Sequence, residues 1–241
     1  MPTKYSPDEL ASLKASFDRD GFVILRGYCD QDEVAKMRWH LSVVHERADS
    51  KQVSFGSMKS LDALEPWFYD YLIDGDQISL IKYLIDDGLS PDNVSWISKP
   101  PGVERTHPHF DALGAYRSPP SGASLWVALD AMDEKNGCLH YECGSHRKVF
   151  TEAYPLPDYD ETNERIVQVK VMPGDAVIHS ARVVHFSIDP LDYSRPRNAM
   201  VYVYWGASSR LDPVRSARSK SQTELQSVSY THLTLPTSDL V

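Results

Sequence analysis

The chain has 241 residues, 41% hydrophobic and 24% charged, which suits one ordinary globular domain with a substantial core. Its net charge of −9 argues against nucleic acid or an anionic membrane as main partner, and mildly against a polyanionic substrate unless a local Arg or Lys cluster overrules the average. No stretch approaches the roughly 20 apolar residues of a membrane span, Met1 to Leu10 has no apolar signal-peptide core, and Cys29, Cys138 and Cys143 form neither CxxC nor a disulfide framework, so a cytoplasmic location is expected.

Ser6-Pro7-Asp8-Glu9 is a strong helix start: a serine cap, proline at the first helical position and glutamate at the third. Leu10, Leu13 and Phe17 follow at helical spacing, and Gly21 supplies a stop. Phe22 to Leu25 reads as a short strand. Asp30 with Glu33 opens a second helix, in which Val34, Met37, Leu41 and Val44 line one face. Residues 61–86 also read as helical, with Pro66-Trp67-Phe68 opening one segment and Ile78, Ile81 and Ile85 marking another. The aromatics Trp67, Phe68, Tyr69 and Tyr71 are expected to serve packing rather than a pocket.

From Asn93 the pattern changes to short strands. Val94 to Ser98, Ser124 to Leu129 and Asn198 to Trp205 are apolar on both faces, as in strands buried between layers. Arg165 to Val171 alternates, with Val167, Val169 and Val171 on one face. Prolines and glycines at 100–102, 118–122, 144 and 173–174 punctuate these runs. Strands at short spacing after a helical preface predict a mainly β fold with flanking α-helices, a double-stranded β-helix (jelly roll, cupin-like). The expected division is a helical preface over 1–90, a jelly-roll core over 91–206 and a poorly ordered, Ser-rich tail over 207–241. Ser229 to Thr237 resembles translated sequencing-adaptor DNA, so that end is expected to be artefactual and His232 to carry no meaning.

The chemistry concentrates at His109-Phe110-Asp111 and His185. Two histidines and one carboxylate form the facial ligand set of non-haem Fe(II) oxygenases, which leaves coordination positions open. In an extended strand residues i and i+2 share a face, so His109 and Asp111 can reach one metal, with His185 supplied by a partner strand. A lone H-x-D is common by chance, and four of the nine histidines lie between 107 and 146. The surroundings carry the assignment.

Three further motifs stand around this set. They are Lys99-Pro100-Pro101-Gly102 with His107-Pro108; Leu125 to Asp130 with Asn136-Gly137-Cys138-Leu139 and Gly144-Ser145-His146; and Pro173-Gly174-Asp175 through His179 to His185-Phe186-Ser187 and Arg197-Asn198-Ala199. Over roughly residues 5 to 205 this order resembles the phytanoyl-CoA dioxygenase-like family of Fe(II)/2-oxoglutarate-dependent oxygenases. Cys143 stands where that family usually has proline. Its arginine lies one residue later than the pattern, and Arg195 competes with Arg197; Arg197 is preferred because Arg-x-Ala follows the family.

The resemblance implies a hydroxylase of a small-molecule metabolite that uses Fe(II), 2-oxoglutarate and O2 and releases succinate and CO2. His109, Asp111 and His185 would bind the metal and form the catalytic centre. Arg197 would meet the far carboxylate of 2-oxoglutarate through two parallel hydrogen bonds, assisted by Ser187. His179 is expected to support rather than ligate, with His107, His140 and His146 in structural or supporting places. Lys99 is either a positioning residue or an ordinary solvated lysine. Phe55, Met58, Tyr116, Arg117 and Trp126 are candidate substrate contacts, and Cys143 is expected to be buried filler. An intact Asp111 favours hydroxylation over halogenation. The partner is expected to be a small molecule, with no nucleic acid or membrane and the chain a monomer or weak homo-oligomer. The competing readings are a jelly-roll protein that binds metal or a small molecule without turnover, and a cupin-like metalloenzyme that does not use 2-oxoglutarate.

Overall fold

Ser6 opens the first helix as its sequence predicts. Its hydroxyl accepts Glu9 N–H at 3.3 Å while the Glu9 carboxylate accepts Ser6 N–H at 2.7 Å, so two otherwise orphaned donors are satisfied reciprocally. The helix stops at Gly21, whose φ of 88° is the left-handed conformation that glycine adopts without penalty. Asp30 and Glu33 repeat the device at 2.8 Å in both directions.

The computed structural model describes residues 4–47, 56–101, 103, 105–113, 115–150, 155–214 and 216. In chain order the elements are α1 Pro7–Asp20, β1 Phe22–Leu25, α2 Gln31–Arg47, β2 Ser57–Met58, α3 Leu61–Leu64, α4 Pro66–Asp74, α5 Gln77–Ile85, β3 Leu89–Ile97, β4 Thr106–His109, β5 Arg117–Ser118, β6 Gly122–Ala128, β7 Leu139–Glu142, β8 Ile166–Val169, β9 Ala176–Ser180, β10 His185–Ser187, β11 Ala199–Gly206 and β12 Arg210–Leu211. The larger sheet runs β1-β9-β6-β11-β3-β2 and the smaller one β4-β10-β7-β8, with antiparallel pairing throughout. None of the described helices is long and apolar enough to cross a membrane.

Period-two alternation builds the layers. On β6, Leu125 and Val127 join the core beneath the helices with Phe17, Met37, Phe68 and Ile81, while Trp126 and Ala128 join the core between the sheets with Tyr141 and Val169. β11 divides likewise, Met200, Tyr202 and Tyr204 outward and Ala199 and Val201 inward. Both faces are covered, so both read as apolar. The result is a double-stranded β-helix with helices bracing the larger sheet.

Local details refine the expected elements. The run 61–86 forms three helices: α3 ends at Glu65, where Pro66 restarts the chain, and α4 ends at Gly75, whose N–H caps Tyr71 O at 3.1 Å. β3 begins five residues before Val94 and contains Pro91. That proline, which has no N–H, is tolerated because β2 covers only Trp96 and Ile97 and because β11 shifts register between Val203 and Tyr204. Val167 is exposed because β8 is the edge strand, whereas Val169 and Val171 are buried. Within the stretch expected as tail, Arg210 and Leu211 pair with Ser118 and Arg117, and Asp212 N–H bonds Tyr116 O at 2.8 Å. Residues 217–241, including the adaptor-like stretch, lie outside the described residues.

The Pro173-Gly174-Asp175 motif is a structural clamp. Asp175 accepts Gly27 N–H at 2.8 Å, Met172 N–H at 2.9 Å and an Arg26 N–H at 2.7 Å, tying the β1–α2 connection to the start of β9. Gly174 has φ +87°, and a Cβ there would fall 2.3 Å from Cys29 O. Gly174→Ala should therefore lower unfolding free energy by about 2 kcal/mol or more, read as a shifted urea midpoint. A midpoint equal to that of the unaltered protein would show that the turn tolerates a side chain.

Candidate metal centre

β4 and β10 are neighbours, and their register sets His109 opposite His185. The two rings lie 4.3 Å apart between centroids. Each Nδ1–H donates to the carbonyl two residues earlier, His109 to His107 O at 2.8 Å and His185 to Val183 O at 3.2 Å. The proton is thus on Nδ1 in both rings and the Nε2 lone pair is the ligating one. Burial holds both imidazoles neutral. It pushes His109 below the ordinary histidine value and His185, with the adjacent His109, down to about 3.

Asp111 lies in the turn after β4, not on the strand itself, so the turn rather than the pleat aims its carboxylate. Oδ1 is 3.6 Å from His185 Nε2, and ligand atoms of His109, Asp111 and His185 all lie within 4.8 Å of one another. Ligands in adjacent positions around a first-row ion, with bonds of about 2.1 Å, stand about 3 Å apart, so small side-chain rotations close the set. Burial opposes ionisation of Asp111, but the hydrogen bond from His179 and the surrounding histidines outweigh it. The carboxyl stays far below the usual carboxylate range.

These residues share a cavity of about 480 Å³ with Trp126, Leu139, Val201, Lys99 and Arg197. Arg197 is 2% exposed. Its Nε–H donates to Gly137 O at 3.1 Å and its guanidinium lies 5.4 Å from the Trp126 ring centroid. Among the described residues no carboxylate comes within ion-pair distance of it, and burial lowers it to about 10. Neighbouring motifs set its place. Asn136 holds Ala131 O and Pro196 O at 2.8 and 3.2 Å, and Asp130 accepts Asn198 N–H at 2.8 Å. Ser145 Oγ accepts Val184 N–H at 2.8 Å, next to His185.

Arg195 instead pairs with Asp133 at 2.8 Å, half-exposed, and does not line the cavity. Ser187 is fully buried, with its oxygen 3.4 Å from Thr106 N–H, and it does not line the cavity. Lys99 is only 4% exposed and is part of the cavity wall, not a solvated lysine. Burial and the like charge of Arg197 bring it down to about 8.

His179 donates to Asp111 and lies outside the ligand set. His140 bonds Cys138 O and stacks on Phe186, and His146 bonds Asp18 O. Among the candidate substrate contacts, Trp126 lines the cavity and Met58 is in the core. Tyr116 and Arg117 line a separate hollow with Phe110 and Phe150, and Phe55 lies outside the described residues. Cys143 is half-buried, more open than the filler expected. The sequence reading missed Ser124 and Tyr141, whose only signal was their place on strands that face the cavity.

Fold and site together define the class: a double-stranded β-helix whose mouth carries two histidines and a carboxylate beside a buried arginine. The chain belongs to the phytanoyl-CoA dioxygenase (PhyH) family, whose signature matches residues 17–189. Phytanoyl-CoA dioxygenase 1 of Oryza sativa subsp. japonica is 28% identical over 155 residues, 59% of this chain and 54% of that protein. Dioxygenase lolE1 of Epichloe uncinata is 25% identical over 168 residues, 66% of this chain and 62% of that one. The chain therefore spans only about half to three fifths of these relatives' length. Among solved structures, the non-haem alpha ketoglutarate dependent epimerase SnoN from nogalamycin biosynthesis superposes with a TM-score of 0.74 at 22% identity, covering 86% of this chain and 87% of its own. EctD from S. alaskensis with 2-oxoglutarate and 5-hydroxyectoine gives 0.74 at 22% identity, covering 86% and 80%. At that identity the likeness speaks to the fold.

Proposed function

We propose that the chain is an Fe(II)- and 2-oxoglutarate-dependent dioxygenase that hydroxylates an unactivated C–H bond of a small-molecule metabolite, with succinate and CO2 as co-products. The observation that carries this reading is Arg197: a buried guanidinium, without a carboxylate partner among the described residues, in the same cavity as His109, Asp111 and His185. A desolvated cation of that kind needs an anion, and a planar fork suits a carboxylate. A protein that only held a metal would have no use for it. The donor set fits Fe(II): two neutral imidazoles and one carboxylate, with the rest of the coordination sphere facing the cavity. EctD has been solved with bound Fe and with 2-oxoglutarate, and SnoN with Fe3+ and alpha ketoglutarate.

His109 and His185 would hold the iron through Nε2 and Asp111 through Oδ1. Arg197 would anchor the far carboxylate of 2-oxoglutarate. Ser187, expected to share that carboxylate, accepts Thr106 N–H through its oxygen and would donate its O–H to the co-substrate. Trp126, Leu139, Val201 and Val203 keep water from the reacting centre. With Fe(II), 2-oxoglutarate and O2 bound, the site supplies an oxidant strong enough for an unactivated C–H bond. The protein would act as a monomer or weak homo-oligomer in the cytoplasm.

The deciding experiment is a mass-spectrometric screen of metabolites for an added oxygen, with succinate release measured alongside. Succinate formed with one metabolite, together with its oxygenated product, supports hydroxylation. An epimerised or cyclised product would keep the cofactors and change the outcome, and no dependence on 2-oxoglutarate would overturn the reading.

Lys99 adds a pH dependence. Its ammonium is charged below about 8 and neutral above, so the wall loses positive charge as pH rises. The KM for 2-oxoglutarate should rise several-fold between about pH 7 and pH 9, and Lys99→Met should flatten that rise. A rise of equal size in the variant would assign the titration to another group.

A further inference from the structure

His179, 2% exposed, is the third histidine at the site, and its surroundings give it a specific task. The register of β6 against β9 sets Ser124 directly opposite His179, so two side chains of the larger sheet converge on one carboxylate that belongs to the smaller sheet's β4 turn. Ser124 Oγ–H donates to Asp111 Oδ2 at 2.6 Å and His179 Nε2–H donates to the same oxygen at 3.0 Å. With its proton on Nε2, His179 accepts at Nδ1, and Tyr141 O–H lies 2.9 Å away to donate there. Tyr141 is fully buried and pairs across the strand with His185. Its phenol is kept protonated by burial and by the charge of Asp111. Oδ2 is thus occupied twice, while Oδ1 alone faces His185 Nε2.

We infer that Ser124, His179 and Tyr141 are positioning residues that restrict Asp111 to one-oxygen coordination, and so set how tightly the site holds a divalent ion. The inference rests on the metal reading above and extends it to residues outside the ligand set. Donors that fix the free oxygen of a ligating carboxylate remove the rotational freedom that binding would otherwise have to suppress. Tyr141 acts one step further back by fixing which nitrogen of His179 carries the proton.

The test is Mn(II) binding to the metal-stripped full chain, followed by electron paramagnetic resonance of the free ion, with thermal melts of the metal-free forms as a folding control. His179→Leu should weaken Mn(II) binding by roughly 10- to 100-fold. His179→Gln, whose side-chain amide N–H can donate toward the same oxygen, should recover most of that loss. Tyr141→Phe and Ser124→Ala should each cost a few-fold. Rescue by glutamine separates a hydrogen-bonding role from space filling, which leucine already satisfies. Equal affinity in His179→Leu and the unaltered protein would overturn the inference, as would a glutamine variant as weak as the leucine one. Should the leucine variant fail to fold, Tyr141→Phe with unchanged affinity overturns it instead. If the unaltered protein binds no Mn(II), the metal reading itself fails and this inference with it; if it binds and the variants do not differ, only this inference fails.

Discussion

Replacing Asp111 with glycine is expected to abolish hydroxylation, by at least about 100-fold, because the site loses its only anionic ligand. The neutral imidazoles of His109 and His185 remain, and two such ligands hold a divalent ion weakly. Two secondary losses accompany this. The hydroxyl of Ser124 and Nε2–H of His179 both donate to Asp111 Oδ2, and removing their acceptor leaves two buried donors at about 1–3 kcal/mol each unless water fills the space. A melt of the metal-free variant measures that part, and Mn(II) affinity measures the ligand part. Near-normal hydroxylation by Asp111→Gly would show that the carboxylate is no ligand. Asp111→Asn keeps the volume and an acceptor oxygen, so it should melt nearer the unaltered protein while remaining inactive.

Arg197→Ala should raise the KM for 2-oxoglutarate far more than it alters metal binding. Losing a desolvated, charge-assisted pair with a carboxylate costs on the order of 2–4 kcal/mol, or about 30- to 1,000-fold. Lysine should rescue little. The guanidinium is held flat by Gly137 O on Nε and by the Trp126 ring, and an ammonium reproduces neither the fork nor the stacking. Arg195→Ala is the internal control, because Arg195 is engaged with Asp133 away from the cavity. An unchanged KM in Arg197→Ala, or an equal rise in Arg195→Ala, would remove Arg197 from the co-substrate site.

Local signals in the sequence were sufficient where local chemistry decides. The caps at Ser6 and Asp30, the stop at Gly21 and the two-sided apolar run of β6 all act within a few residues, and each appears in the structure as read. The pairing of His109 with His185 followed from spacing and motif order. What escaped depends on register. Ser124 and His179 meet on Asp111 only because β6 and β9 pair in one alignment, and nothing within either strand announces that partner. Pro91 hid the first half of β3, since its tolerance depends on an uncovered edge and a shift in β11. Lys99 stayed open between a positioning residue and a solvated lysine, because burying a lysine is a property of the cavity around it, not of Lys-Pro-Pro. Ser187 shows how far spacing alone reaches: two residues beyond His185 on the same strand, it accepts Thr106 N–H and does not line the cavity.

Both metal-facing histidines donate to nearby main-chain carbonyls, His109 to His107 O on β4 and His185 to Val183 O in the turn before β10. A main-chain oxygen survives any substitution that leaves the local backbone intact. The wall opposite, by contrast, is built from Ile97, Val103, Val201 and Val203, which lie on other segments. Seat and wall are therefore separable in inheritance: mutations can reshape what the cavity admits without re-aiming the imidazoles. A library randomised at Val103, Val201 and Val203 should change substrate preference while most folded members keep the Mn(II) affinity of the parent, so the scaffold is a practical starting point for evolving new selectivity.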